Sequence, residues 1–158
     1  EYPMTPFRHP TVHCHWPYML DMTVRIGEGL RKLGKRAILK RHPDRLPDSQ
    51  VIYAPYFDQM LVEPLEEVWA QADLFIFPHI ASSTFGFVLL TNRPVVIFRP
   101  SLAETWPEVR PSLERRCRVV DADSGPGHRI RWDSEQFEEA IERTPERPDD
   151  EYVQEYML

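Results

Sequence analysis

The 158-residue chain predicts an α/β fold, a parallel sheet with helices on both faces, and three observations point that way. Short apolar runs rich in β-branched and aromatic residues recur along it, stretches with helical apolar spacing separate them, and proline or polar clusters mark the junctions. Strands that alternate with helices pair in parallel and are covered on both faces by their crossovers. The length suits one domain with a core of its own, or half of a bilobed protein. Hydrophobic residues at 42% and charged residues at 28% exclude a disordered or collagenous chain.

The elements follow in order. Residues 1–18 are rich in proline and aromatics and read as a linker or first strand, with residues 11–15 as the strand candidate. Residues 20–33 carry Leu20, Val24, Ile26, Leu30 and Leu33 near helical spacing, and Gly34 stops the helix. Residues 36–40 form a buried strand that His42-Pro43 ends, because proline removes a ladder donor and turns the preceding residue away from helix. Residues 51–53 (Val51-Ile52-Tyr53) predict a second strand by composition. A helix over 62–72 sets Leu65, Val68, Trp69 and Ala72 on one face. The clearest strand is 73–77, followed by Ser82-Ser83-Thr84, a helix over 84–91 and a strand over 94–98. A strand at 118–121 and a helix at 133–143 complete a Rossmann-like domain over 19–143. Residues 144–158 form an acidic tail, a flexible connection up to 150 and then a short helix that docks elsewhere.

Charge divides unevenly. From Trp132 onward ten acids face two arginines, a balance of −8 within the net −6, so the first 131 residues carry +2. Arg31, Lys32, Lys35, Arg36, Lys40, Arg41 and Arg45 fall in one stretch of that part, either a solvated helix face or an attraction for an anion. Basic residues are too few and too poorly interleaved with aromatics for a nucleic-acid surface. No apolar run approaches the ~20 residues of a membrane-spanning helix. Cys14 and Cys117 make no disulfide framework or paired zinc motif, so a reducing compartment is expected. The chain opens at Glu1 without a signal-peptide pattern or an initiator methionine, as a piece of a longer protein would.

Ligands of an open parallel sheet bind beyond the carboxyl ends of its strands, and two polar motifs fall at such ends. Lys40-Arg41-His42-Pro43 closes the strand at 36–40, where cations and an imidazole can meet phosphate oxygens, or where a turn histidine bonds the backbone. Ser82-Ser83-Thr84 lies between a strand and a helix, where hydroxyls, unbonded N–H groups and the helix dipole favour an anion, or where serine simply caps. On one sheet edge the two would line a single crevice. His9, His13 and His15 beside Cys14 make a weaker metal candidate, and no metal site is assigned. His79 follows the strand at 73–77 and either lines the crevice or bonds the backbone. Glycine-rich dinucleotide turns, HExxH, P-loop and nucleophile-elbow motifs are missing.

The order Ile38-Leu39-Lys40-Arg41-His42-Pro43, Ala72-Asp73, Leu74-Phe75-Ile76-Phe77, Ser82-Ser83-Thr84-Phe85-Gly86-Phe87 and Arg93-Pro94-Val95-Val96-Ile97-Phe98 resembles the C-terminal domain of GT-B-fold transferases that build bacterial surface polysaccharides. Capsule polysaccharide transferases, sialyltransferases with His-Pro and Ser-Ser motifs, and CDP-glycerol glycerophosphotransferases are of this kind. The resemblance spans about residues 11 to 140 and lies in the order and spacing of the motifs. It implies one half of a GT-B fold that binds a CMP-, CDP- or UDP-linked donor and needs no further cofactor. His42 would act on the leaving phosphate as the catalytic residue. Lys40, Arg41, Ser82, Ser83 and Thr84 would hold the phosphates, with Tyr53, Tyr56 and Gly86 beside the nucleotide. An N-terminal domain would supply the acceptor site and general base, and through it a peripheral attachment to the inner face of the membrane from the cytoplasm.

One departure separates this chain from many such transferases. Gly86-Phe87 is followed by Val88, where a glutamate would accept hydrogen bonds from the ribose hydroxyls. Two further readings therefore stand beside the transferase: a non-catalytic interaction module of the same fold, and a nucleotide-sugar epimerase-like domain.

Overall fold

Helix α1 begins before the first apolar residue of its stripe. The computed structural model describes residues 16–41, 46–80, 82–99, 105–125, 129–143 and 148–158, and places α1 at Trp16–Lys32. Its end is a Schellman motif: Gly34 N–H donates to Arg31 O and Lys35 N–H to Leu30 O, at 3.0 and 2.9 Å. Gly34 sits at φ 66°, a conformation in which a Cβ is strained.

Strand β1 (Ile38–Lys40) pairs in parallel with β2 (Gln59–Leu61), Ile38 opposite Gln59 and Lys40 opposite Leu61. Between them lies α2 (Leu46–Tyr53), which runs into a 3₁₀ turn, Ala54–Tyr56. The strand expected at 51–53 is therefore the end of a helix. In a strand Val51 and Tyr53 would share a face, yet Val51 is exposed while Tyr53 packs with Ile52, Phe57 and the Leu20 and Val24 side chains of α1. Packing against α1 overrides the β-propensity of the three residues.

The helix expected over 62–72 is shorter. Pro64, extended at ψ 140°, precedes α3 (Leu65–Val68), and the chain tightens into a 3₁₀ turn at Trp69–Gln71. Strands β3 (Phe75–Phe77), β4 (Val95–Phe98) and β5 (Arg118–Val120) form a three-stranded parallel sheet in that order. Helix α4 (Ser83–Leu89) connects the first two and α5 (Arg110–Arg116) precedes the third. An antiparallel hairpin, β6 (Ala122–Gly125) with β7 (Arg129–Trp132), leads to α6 (Ser134–Glu142) and then α7 (Glu151–Tyr156). Asp133 caps α6 by accepting from Glu135 N–H at 2.7 Å and Gln136 N–H at 3.3 Å.

Strand β4 shows how the layers are built. Its four residues are all buried and alternate between two cores. Val95 and Ile97 join Phe85, Val88 and Leu89 of α4, Leu113 of α5 and Val153 of α7. Val96 and Phe98 join Met22 and Ile26 of α1, Phe137 and Ile141 of α6, and Ile130 of the hairpin. The pair β1–β2 repeats the pattern, with Ile38 and Leu61 facing the first core and Leu39 and Met60 facing α1 and α2.

The molecule is thus mixed α/β, with parallel strands covered by helices on both faces, an arrangement compatible with a Rossmann-like fold. The ladders differ from the expected single sheet. The β1–β2 pair and the β3–β5 sheet are separate hydrogen-bonded units, and the hairpin is antiparallel. The acidic tail also differs: α7 docks on this same domain through Val153, while Arg115 pairs with Asp149 at 3.6 Å and with Glu151. No helix of the described residues is long and apolar enough to cross a membrane.

Candidate functional site

Ser82 stands immediately before α4 in an extended conformation, and Ser83 opens the helix. The Ser82 hydroxyl lies 2.5 Å from that of Thr84, a hydrogen bond that either can donate, and it does not cap a helix N–H. Ser82 O accepts from Phe85 N–H at 3.0 Å, closing the first turn. Two half-buried hydroxyls therefore face one another on the first turn of a helix that follows a parallel strand. Such a turn carries N–H groups without intrahelical partners and the positive end of the peptide dipoles.

The other motif is arranged differently. Lys40 ends β1 and its ammonium donates to Arg41 O at 2.6 Å. Arg41 is only 7% exposed, its N–H extends the ladder to Leu61 O at 2.8 Å, and its guanidinium lies 3.4 Å from Gln50 Oε1. The Arg41 charge is thus enclosed where β1, β2 and α2 meet, not presented to an open crevice. His42, Pro43 and Arg45 lie outside the described residues, as do His9, His13, Cys14, His15 and the strand candidate at 11–15. β1, which leads into the first motif, and β3, which precedes the second, belong to separate hydrogen-bonded ladders, and Ile38 of the one and Phe75 and Phe77 of the other pack against the same core.

The residues expected beside the nucleotide divide as well. Tyr53 is buried edge-on against Phe57, ring centroids 6.3 Å apart, and Tyr56 packs against the same cluster, so both rings serve the core beneath α1. Gly86 looks toward α7: a Cβ built there would meet Met157 Cε at 3.9 Å, ordinary contact. Val88 has 0% exposure within the first core, so position 88 points into the domain. His79 is half-buried just after β3.

Sequence reasoning missed two polar constellations. Arg99 and Asp121 follow β4 and β5 directly and bond each other, Arg99 also reaches Glu114 at 3.0 Å, and Gln136 brackets Asp121 at 2.7 and 3.1 Å. Hydrogen bonds from Arg99 and Gln136 hold the Asp121 carboxyl below its ordinary range, and Asp121 raises the Arg99 guanidinium. These charges compensate one another at the surface, just past the carboxyl ends of β4 and β5. Their signal was position, one polar residue just past each strand. The second is Arg116, 3% exposed, whose guanidinium donates to Leu89 O, Thr91 O and Arg93 O at the C-terminal end of α4. Burial lowers its pKa. Alongside that end, a cavity of about 300 Å³ lies between Leu89, Leu90, Thr91 and Asn92 and the α7 residues Val153 and Gln154.

Comparison of the chain with protein-family models, with curated proteins and with solved structures gives no match.

Proposed function

We propose that this chain is the donor-binding domain of a transferase that moves a sugar, or a polyol phosphate, from a nucleotide-activated donor, as the C-terminal half of a GT-B enzyme does. The observation that carries the reading is the Ser82–Thr84 hydroxyl pair on the first turn of α4, directly after a parallel strand. A phosphate there would exchange the hydroxyl–hydroxyl bond for two bonds to anionic oxygens and meet the unbonded N–H groups of the helix. Donors aimed at the departing diphosphate stabilise charge as it develops. Lys40 would add positive potential and His42 would assist departure. The acceptor site and general base would come from a second domain at the inner face of the membrane, and surface-polysaccharide synthesis is the setting the motif order implies.

Calorimetric titration with CMP, CDP and UDP tests this. One of them binds, and Ser82→Ala with Thr84→Ala weakens binding tenfold or more, since each hydrogen bond to a charged group is worth about 1.5–3 kcal/mol. His42→Ala weakens it as well. Absence of binding by all three, or binding indifferent to these substitutions, refutes the reading.

A second reading, a non-catalytic interaction module, is favoured by Val88, which leaves α4 without a ribose acceptor at that position. It predicts partner binding unaffected by the same substitutions.

A further inference from the structure

Arg31 and Lys32 end α1 and Lys35 and Arg36 follow it, all exposed; the acids near them include Glu28 on the helix and Asp58, whose carboxylate accepts from Ala37 N–H. Among the described residues none of the four cations forms an ion pair. Arg31 donates instead to Pro55 O at 2.5 Å and Arg36 to the Gln59 side chain. The first contact fixes the basic run beside the 3₁₀ turn at Ala54–Tyr56. Gly27 permits that approach, because a Cβ there would stand 2.8 Å from Tyr56 O.

The end of α2 and the turn after it expose three small apolar residues. Val51, Ala54 and Pro55 stand at i, i+3 and i+4 and are all exposed, Val51 at 81%, while Ile52, Tyr53 and Tyr56 pack inward. Charge alone is the ordinary solvated end of a helix, where cations suit the dipole. Charge fixed beside exposed apolar residues is a different surface. A polyanion in water gains nothing from Val51, whereas a bilayer takes up the valine below its headgroups and holds the cations at its surface.

We propose that this face, the end of α1 with Val51 and the turn at Ala54–Tyr56, rests on an anionic lipid bilayer. The inference does not depend on the donor site, which lies on α4. Co-sedimentation of the 158-residue chain with vesicles of phosphatidylcholine, alone or mixed with phosphatidylglycerol, tests it. The chain sediments with the mixed vesicles only, and raising salt from about 0.1 to about 0.5 M releases it as the Debye length shrinks. Each basic residue near an anionic leaflet contributes about fivefold, so Lys32→Gln with Lys35→Gln lowers partitioning about thirtyfold. Val51→Ser lowers it further without disturbing the fold, which circular dichroism checks. The proposal is overturned if the mixed vesicles do not bind the chain, or if the lysine substitutions leave binding intact. It is equally overturned if immobilised heparin captures the chain and Val51→Ser leaves vesicle binding unchanged, which makes the face a general polyanion surface.

Discussion

Arg116 is the side chain whose removal should cost most among the polar residues described. Its guanidinium reaches Thr91 O at 2.8 Å and Leu89 O at 3.0 Å, with weaker contacts to Arg93 O at 3.2 and 3.3 Å. Arg116→Met keeps much of the volume but leaves these carbonyls, Leu89 O buried and the others partly so, without the donor. Two good charge-assisted bonds at about 1.5–3 kcal/mol each, less the burial penalty that the guanidinium no longer incurs, give a net loss of about 3 kcal/mol. That is a large fraction of the ~10 kcal/mol typical of such a domain. With a urea dependence of about 2 kcal/mol per molar, the unfolding midpoint should fall by about 1.5 M. Arg116→Lys, with a point charge in place of the planar fork, should recover part of the loss. A midpoint shift below about 0.5 M for the methionine variant would show that the turn after α4 does not depend on this clamp.

Cys117 predicts a pH dependence. Burial pushes its thiol up to about 12 from an ordinary 9.0, so the folded state keeps a proton that the unfolded chain releases. The resulting stability is full below pH 9 and is lost as pH rises toward 12, by about 2 kcal/mol at pH 10.5, and Cys117→Ala should flatten that decline in urea titrations. Asp133→Ala removes the acceptor for Glu135 and Gln136 N–H and should cost about 1 kcal/mol by the same assay. Val88→Glu should destabilise by more than 3 kcal/mol and should not strengthen UDP binding, because position 88 faces the core. A stable variant that binds UDP more tightly would show that α4 rotates from the orientation described.

Much of the fold was legible where burial and periodicity agree. Leu74, Ile76, Val96 and Phe98 on one side and Phe75, Phe77, Val95 and Ile97 on the other made β3 and β4 readable as strands packed on both faces, β3 half-buried and β4 fully so. Asp133 before Phe137, Ala140 and Ile141 announced α6. Other elements drew on contacts that local sequence does not encode. The Val51-Ile52-Tyr53 run became helix because α1 offered it a surface, and β2 formed from Gln59-Met60-Leu61, which lacks β-branching, because β1 lay ready to pair. Helix α5 shows no apolar stripe since two of its three buried residues are Ser112 and Arg116. At the site, the hydroxyls before α4 were visible from composition and position. The enclosure of Arg41 was not, because a charge after a strand looks the same whether it meets solvent or Gln50.

Helix α4 is where these results meet. Seven residues span about 10 Å, with the Ser82–Thr84 pair at one end and the Arg116 clamp at the other. Between them Phe85, Val88 and Leu89 point into the core and Gly86 lies under Met157 of the tail. The polar groups that α4 offers a ligand are therefore at its first turn, with hydroxyl and N–H donors suited to phosphate, while its flanks are committed to packing. Under the proposed function, a domain so built should read the charge of a donor more strongly than its base or ribose. CDP and UDP should then bind alike, CMP more weakly than either, and inorganic diphosphate should compete with both. A strong preference for one base, with no competition from diphosphate, would place recognition away from α4.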